Sequence, residues 1–407
     1  MNTGSMRQFA RRAGWMGALL GSAVACAAAV PTQMQAVRSD AASGTLKVQT
    51  VDVPTPKEGQ VLLKVYAAGL NPSDWRTGGG GGPPGGGAGG PQGGGAGGAP
   101  GGAPGGGAPG AAPGGAGGPP GGGAGAGGPP GGGAGGPPGG GAPGGMMGGG
   151  ARNPGNDAAG VVVAVGPGVT EYKVGDKVIA ALQQIGGGAY AEYALALVKN
   201  MAPKPKNFTY EEAAGIPTAG FTGLRMVLVA KIAKGERVLV IGAAGGVGST
   251  AVQVAKSEGA TVISSASSRH AAYLKSIGVD EVISYDTEKV AEKARNIDVA
   301  IVTVGSENAN AITYVKKGGR VVTIAGQADA AACAAAGVTC IGGGPSQSYS
   351  DGELMKQLVQ LADAGKLKVK VDKVFTLAQV NDGYTLGRAG NREGKLVLSI
   401  DKDAAKK

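Results

Sequence analysis

The sequence is poor in the residues that build metal centres and disulfide scaffolds. Its 407 residues include one histidine, His270, and three cysteines, Cys26, Cys333 and Cys340. Outside the N-terminal apolar run that holds Cys26, only His270, Cys333 and Cys340 are left. They are fewer than the four ligands of a structural zinc site and lack the cysteine and histidine spacing of a catalytic one, so no metal is expected. Three cysteines are too few for a disulfide framework. Cys333 and Cys340 are close enough in sequence for a pair to be geometrically possible, but two small buried thiols beside a strand are the expectation. Aromatic residues are also scarce, with four Phe and two Trp. The net charge is +10, yet Lys and Arg are scattered and not interleaved with aromatics, so nucleic acid is excluded as a partner.

Long apolar runs are missing as well. The stretch from Trp15 to Val30 is short of the roughly 20 residues that span a bilayer, and no transmembrane span is expected. Arg7, Arg11 and Arg12 precede this run and small residues close it around Ala25 to Ala29, which is the pattern of an export signal over residues 1–33. A periplasmic location follows, with the adjacent Arg11 and Arg12 suggesting twin-arginine export of a folded protein. Ala13, Gly14 and Trp15 depart from the full motif, and Cys26 offers lipidation as another reading. If translation starts instead at Met34, the protein is cytoplasmic.

What is abundant is glycine, 83 residues, together with 24 prolines. Most of the excess lies in residues 77–151, an uncharged tract in which PPGGGA recurs at Pro83, Pro119, Pro129 and Pro137. Runs of three glycines break the strict three-residue period of collagen. So few side chains cannot offset the entropy of ordering the chain, and this low-complexity insert is expected to be disordered.

Outside the insert the pattern divides the chain. Residues 34–76 and 152–210 carry short strand patterns, including Val61 to Val65 and Asp157 to Val163. Residues 211–345 alternate strands and helices, which argues βαβ units and a parallel sheet. Residues 346–407 are expected to hold one helix, Asp351 to Ala364, and to return to the first domain as an edge strand, Gly394 to Ile400.

The chemistry is written most clearly in Val238-Leu239-Val240-Ile241-Gly242-Ala243-Ala244-Gly245-Gly246-Val247-Gly248-Ser249. A glycine turn between an apolar strand and a helix is the setting of a dinucleotide fingerprint. Gly245 lets the backbone approach a pyrophosphate, Gly248 lets helix and sheet pack closely, and the helix N-terminus favours anions. Ala243, Ala244, Gly246 and Val247 complete the loop, although Ala243 departs from the strict glycine pattern. At the end of the next strand, Ser264-Ser265-Ala266-Ser267-Ser268-Arg269-His270 contains no carboxylate to bond a ribose. Ser268 and Arg269 suit a 2′-phosphate, which favours NADPH; Arg269 also reads as an ordinary surface residue. His270 is expected to face solvent or the adenine.

Several stretches are similar to the zinc-free NADPH:quinone oxidoreductase branch of the medium-chain dehydrogenase/reductase superfamily. They are AAGLNPSDW from Ala67, DAAGVVVAVGPGVTEYKVGDKV from Asp157, AGIPTAGFTG from Ala214, VLVIGAAGGVGSTAVQVAK from Val238 and GATVISSASSRHAAYLKSIGVDEVISY from Gly259. The resemblance implies an α/β protein in which a Rossmann domain is joined to a β-rich, GroES-like catalytic domain built from both ends of the chain. Zinc alcohol dehydrogenases have a cysteine where this chain has Asn71, and Gly-His-Glu where it has Gly155-Asn156-Asp157.

The same resemblance places Asn71 near the nicotinamide, with Thr218 and Thr222 flanking the cofactor. Tyr285, Gly305 and Gly326 fall at strand ends where cofactor contacts cluster. Asp74, Trp75 and Arg76 approach the substrate mouth, with turn or helix capping an equal reading for Asp74. Tyr66, Tyr190 and Asn71 are polar helpers to the chemistry. The implied reaction is hydride transfer from NADPH to a quinone or an α,β-unsaturated carbonyl, in a possible homodimer. An enoyl-thioester or alkenal reductase is an alternative, and a noncatalytic NADPH-binding or surface interaction protein is another.

Overall fold

A computed structural model describes residues 30–39, 45–76, 153–344, 349–390 and 392–401. Residues 1–29, which hold nearly all of the proposed export signal, and the Gly/Pro-rich insert lie outside the described residues. The first lobe begins with an antiparallel pair, β1 (Gln33–Ser39) and β2 (Leu46–Asp52). It continues through β3 (Gln60–Leu70), the short helix α1 (Pro72–Arg76), β4 (Asp157–Val165), β5 (Lys177–Ala181), β6 (Tyr193–Leu197) and β7 (Met201–Pro203).

Helices α2 (Tyr210–Ala214) and α3 (Pro217–Ala230) lead into the second lobe. There the chain alternates: β8 (Arg237–Ile241), α4 (Gly246–Ser257), β9 (Thr261–Ala266), α5 (Ala271–Ser276), β10 (Glu281–Ser284) and α6 (Val290–Lys293). It goes on through β11 (Ile297–Val302), α7 (Asn308–Tyr314), β12 (Val315–Thr323), α8 (Ala330–Ala336) and β13 (Thr339–Gly342). Helix α9 (Asp351–Asp363), β14 (Val371–Phe375), α10 (Val380–Ala389) and β15 (Lys395–Ser399) bring the chain back to the first lobe.

The second lobe is a six-stranded sheet in the order β10-β9-β8-β11-β12-β13, with every neighbouring pair parallel. Counted within the lobe this is 3-2-1-4-5-6, the doubly wound nucleotide-binding order. The strand residues explain it. In β8, Val238 and Val240 enter one core cluster while Leu239 and Ile241 enter another. Val299 and Ile301 of β11 divide from Ala300 and Val302 in the same way. Alternate side chains point to opposite faces, so apolar residues throughout demand cover on both sides, which helices supply.

The first lobe is a seven-stranded sheet ordered β14-β15-β3-β4-β5-β7, with β6 also pairing β3. The final strand is therefore not the edge that its terminal position suggests: β15 lies between β14 and β3, and β14 is its outer neighbour. The C-terminal part also holds a second helix, α10, that the sequence pattern does not announce. Gly383 and Gly387 interrupt its helical character, but a Cβ on Gly387 would come within 2.6 Å of the Trp75 ring, and one on Gly383 within 2.8 Å of Leu70. Both glycines are there for packing.

A second correction concerns the cysteines. Cys333 of α8 and Cys340 of β13 are joined in a disulfide with Cα atoms 6.1 Å apart, where two thiols were expected. The turn at Gly337, in left-handed conformation, folds the helix back beside its strand and brings the two together.

Candidate active site

The turn after β8 sits at the switch point of the parallel sheet, between the carboxyl ends of β8 and β11. Gly242 has φ +82°, and a side chain there would meet Thr303 Oγ1 at 2.3 Å. A Cβ on Gly248 would lie 2.3 Å from the Gly242 carbonyl oxygen, so helix α4 packs against the turn as closely as backbone allows. Gly245 differs: its Cβ position meets nothing nearer than 3.7 Å, leaving an open approach. It caps α4 in extended conformation with no side-chain acceptor on the helix, and the first turn carries no acidic residue. Unclaimed N–H groups behind an open glycine fit a pyrophosphate.

At the end of β9 the structure supplies what the local sequence lacks. Asp286, two residues past β10, reaches Ser268, accepting its amide N–H at 2.9 Å and its hydroxyl at 2.8 Å. A carboxylate does stand at the end of β9. Arg269 is exposed, and Tyr285 is 58% exposed. His270 is not solvent-facing: it is buried, with Nδ1 3.0 Å from Glu393, which also pairs with Lys370. Gly305 and Gly326 lie at the ends of β11 and β12, and a Cβ on Gly305 would approach the Ala325 oxygen to 2.6 Å. A cavity of about 530 Å³ is lined by Gly305, Asn308 and Ile312 among others. One of about 620 Å³, lined by Arg269, Tyr273 and Lys370, includes no residue of the Gly242–Gly248 turn.

Between the lobes lies a buried polar network. Asn71 directly follows β3; its Nδ2 donates to Asp157 Oδ2 at 2.9 Å. Its Oδ1 accepts from Lys395 Nζ at 2.5 Å, and the same ammonium donates to the Leu70 carbonyl at 3.3 Å and lies 3.8 Å from Asp157. Asp157 accepts both the backbone N–H and the hydroxyl of Thr218, at 3.0 and 2.5 Å. Asp74 forms a second node. It accepts from the Asn71 amide N–H at 2.8 Å, the Tyr190 hydroxyl at 2.7 Å and Asn156 Nδ2 at 2.8 Å. The Asp74–Asn156 bond joins the two described flanks of the insert. Asp74 does cap the α1 turn, but it is buried rather than open to a substrate mouth.

Burial governs the charges. Loss of water raises Asp74 to about 6, against the Tyr190 hydrogen bond that favours its carboxylate; the neighbouring Asp157 adds to the rise. Burial likewise raises Asp157 and lowers Lys395, with each partner opposing the shift in the other. Tyr190 is held protonated well past its usual range by burial and by the carboxylate it serves.

Lys395 also touches the nucleotide turn. A Cβ on Gly246 would fall 2.7 Å from its Cδ, and Gly394 donates its N–H to the Ala244 carbonyl at 2.7 Å. The start of β15 thus connects the nucleotide turn to Asn71. Thr222 is buried within α3. The structure brings Asn71, Asp74, Tyr190 and Thr218 into one network, and groups the loop residues Ala243 to Gly248 against it through Lys395. Lys395 and Asp286 were missed from sequence. A lysine opening the apolar run Leu396-Val397-Leu398 was a usable signal; for Asp286 there was none, because its partners come from a different strand.

A parallel nucleotide-binding sheet joined to a β-lobe closed by both ends of the chain is the architecture of the medium-chain dehydrogenases and reductases. A family model described as an alcohol dehydrogenase GroES-like domain matches residues 142–206, and one described as a zinc-binding dehydrogenase matches residues 277–398. The chloroplast envelope quinone oxidoreductase homolog of Arabidopsis thaliana is 31% identical over 264 residues, 60% of this chain and 79% of that one. The NADPH-dependent alkenal/one oxidoreductase of the same plant is 32% identical over 255 residues, 60% of this chain and 63% of its own length. The structure of a quinone oxidoreductase from Coxiella burnetii superposes with TM-score 0.67 at 24% identity, covering 91% of this chain and all of that one. The chain belongs to the medium-chain dehydrogenase/reductase superfamily, within its quinone-oxidoreductase-like group.

Proposed function

We propose that the protein is an NADPH-dependent reductase that passes hydride to a quinone or to the β-carbon of an α,β-unsaturated carbonyl without zinc. The observation that carries this reading is the contact of Lys395 with both Gly246 of the nucleotide turn and Asn71 of the β-lobe. It sets a polar cluster against the cofactor loop, where the two reactants have to meet. The relatives named for quinone and alkenal/one reduction support the choice of acceptor.

Bound along the turn, NADPH supplies the hydride. The Gly245–Gly248 backbone would hold its pyrophosphate, with Ala243, Ala244 and Val247 walling the turn. Ser268 and Arg269 would meet the adenosine ribose, Tyr285 the adenine, and Thr222, Gly305 and Gly326 the nicotinamide half. Asn71, fixed from both sides by Lys395 and Asp157, holds its amide in one orientation and so presents a constant polar wall. Tyr190 and Asp74 hold a proton between them inside the lobe. The Lys395 ammonium supports a zinc-free reading: it already places a positive charge between Asn71 and Asp157. An ammonium there repels a second cation.

The N-terminal pattern and the Cys333–Cys340 disulfide support an exported, periplasmic protein, since disulfides persist in oxidising compartments. Steady-state NADPH oxidation with quinones, enones and enoyl thioesters tests the reaction. Turnover with a quinone or enone is expected; absence of turnover with every acceptor overturns the reading.

A further inference from the structure

The end of β9 reads as a 2′-phosphate site only while its neighbours in space are ignored. Strand β10 runs parallel to β9 with Ser284 opposite Ala266. Two residues on, Asp286 turns back across the end of β9. Its carboxylate accepts the Ser267 hydroxyl at 2.9 Å, the Ser268 hydroxyl at 2.8 Å, and the Ser268 N–H at 2.9 and 3.1 Å to its two oxygens. These are the hydroxyl and amide donors that a phosphate at this position would use. The hydrogen bonds hold Asp286 down to about 2, with the Ser268 amide contributing most, so it is ionised at any physiological pH.

An acidic group at the end of the second strand of such a sheet bonds the ribose hydroxyls of an unphosphorylated dinucleotide, whereas a 2′-phosphate calls for hydroxyls and a cation. This chain has both sets. Arg269 follows the two serines, and the carboxylate comes from the third strand instead of the second. A phosphate and Asp286 cannot share the serines, because the two anions repel and compete for the same donors. A carboxylate that accepts from serines can equally accept from the 2′- and 3′-hydroxyls of NADH.

We infer that Asp286 sets cofactor preference, its carboxylate standing in the place of the ribose 2′-phosphate so that NADPH has to displace it and NADH is accepted as well. The inference rests on the nicotinamide-nucleotide reading above and sharpens it. Asp286 is exposed, so a melting curve suffices to check that its replacement leaves the fold intact.

The test is direct binding, read by nucleotide fluorescence, of NADPH and NADH to the wild type, Asp286→Asn and Asp286→Ala. Asparagine keeps one acceptor oxygen for the turn and removes the charge; alanine removes both. The wild type is expected to bind the two nucleotides within about tenfold of each other. Both variants are expected to shift the ratio at least tenfold toward NADPH, which gains the serine donors, while NADH loses the acceptor for its ribose hydroxyls. An unchanged ratio in folded variants overturns the inference and leaves Asp286 a turn cap, with the NADPH reading intact. A wild type that prefers NADPH more than a hundredfold overturns it too. If no protein binds either nucleotide, the proposed function falls and the inference with it.

Discussion

The Lys395 ammonium rests on the side-chain oxygen of Asn71, 324 residues away in sequence, and both groups are buried. This one bond joins the last strand of the chain to the end of the strand that leads into the insert. It also passes beside Gly246, so the β-lobe and the nucleotide turn share a residue.

Lys395→Met keeps the apolar stem and removes the charge. It leaves Asp157, the Asn71 oxygen and the Leu70 carbonyl without their cation. Removing one partner of a buried pair costs about 3–5 kcal/mol. Urea denaturation should show a loss of that order, and NADPH turnover should fall with it. A change below about 1 kcal/mol would mean that Asp157 is satisfied without the lysine.

Asp74 should give the protein a pH signature. Its folded value, about 6, lies above the usual value of 3.8. The folded state therefore binds the proton more tightly, and stability is greatest below the unfolded value. It declines as pH rises from about 4 through 6 and is flat above, the full difference amounting to about 3 kcal/mol. Asp74→Asn should flatten that part of the stability profile. Asn156 can turn its amide to meet the new group, so the variant is expected to fold. Denaturation midpoints measured between pH 4 and 8 for both proteins check this, and parallel curves would contradict it.

Gly248→Ala puts a methyl group 2.3 Å from the Gly242 oxygen, and the atoms it meets are backbone and cannot swing aside. The turn and helix α4 must separate, which costs about 1–3 kcal/mol as overpacking and opens the phosphate cradle. NADPH affinity should drop at least tenfold by fluorescence titration. Gly245→Ala, whose nearest neighbour is 3.7 Å away, should leave the fold unchanged and affect nucleotide binding alone.

The Cys333–Cys340 disulfide closes a loop of seven residues' separation. For so short a loop, chain entropy gives about 2–3 kcal/mol. A Cys333→Ser, Cys340→Ser double variant should melt lower by several degrees, and non-reducing mass spectrometry of the mature protein should find the pair oxidised. Two free thiols in that measurement would contradict both the bond and the argument for export drawn from it.

The sequence made the nucleotide lobe legible because β8, its turn and α4 are contiguous and their periodicities are unmixed. The same holds for β9 to β12, where apolar strands alternate with helices. Asn71, Asp74 and Tyr190 could be chosen from sequence, but not their connections, since Asp157, Asn156 and Lys395 arrive from other strands. Helix α10 was hidden by Gly383 and Gly387, which read as breakers and serve Leu70 and Trp75. Strand β14 was hidden by its exposed charged residues, Asp372 and Lys373. The carboxylate at the end of β9 could not be read locally: Asp286 reaches Ser268 through the parallel pairing of β9 with β10, which no single segment displays.

We propose that the nucleotide turn and the polar cluster form one hydride-transfer site. Single-turnover mixing of the protein–NADPH complex with a quinone or an enone, followed by loss of reduced-nicotinamide absorbance, tests it most directly. The wild type should consume one NADPH per site with either acceptor, and Lys395→Met should slow that step by at least tenfold even when saturated with NADPH. Bound NADPH that stays reduced in the presence of every quinone and enone would contradict the account.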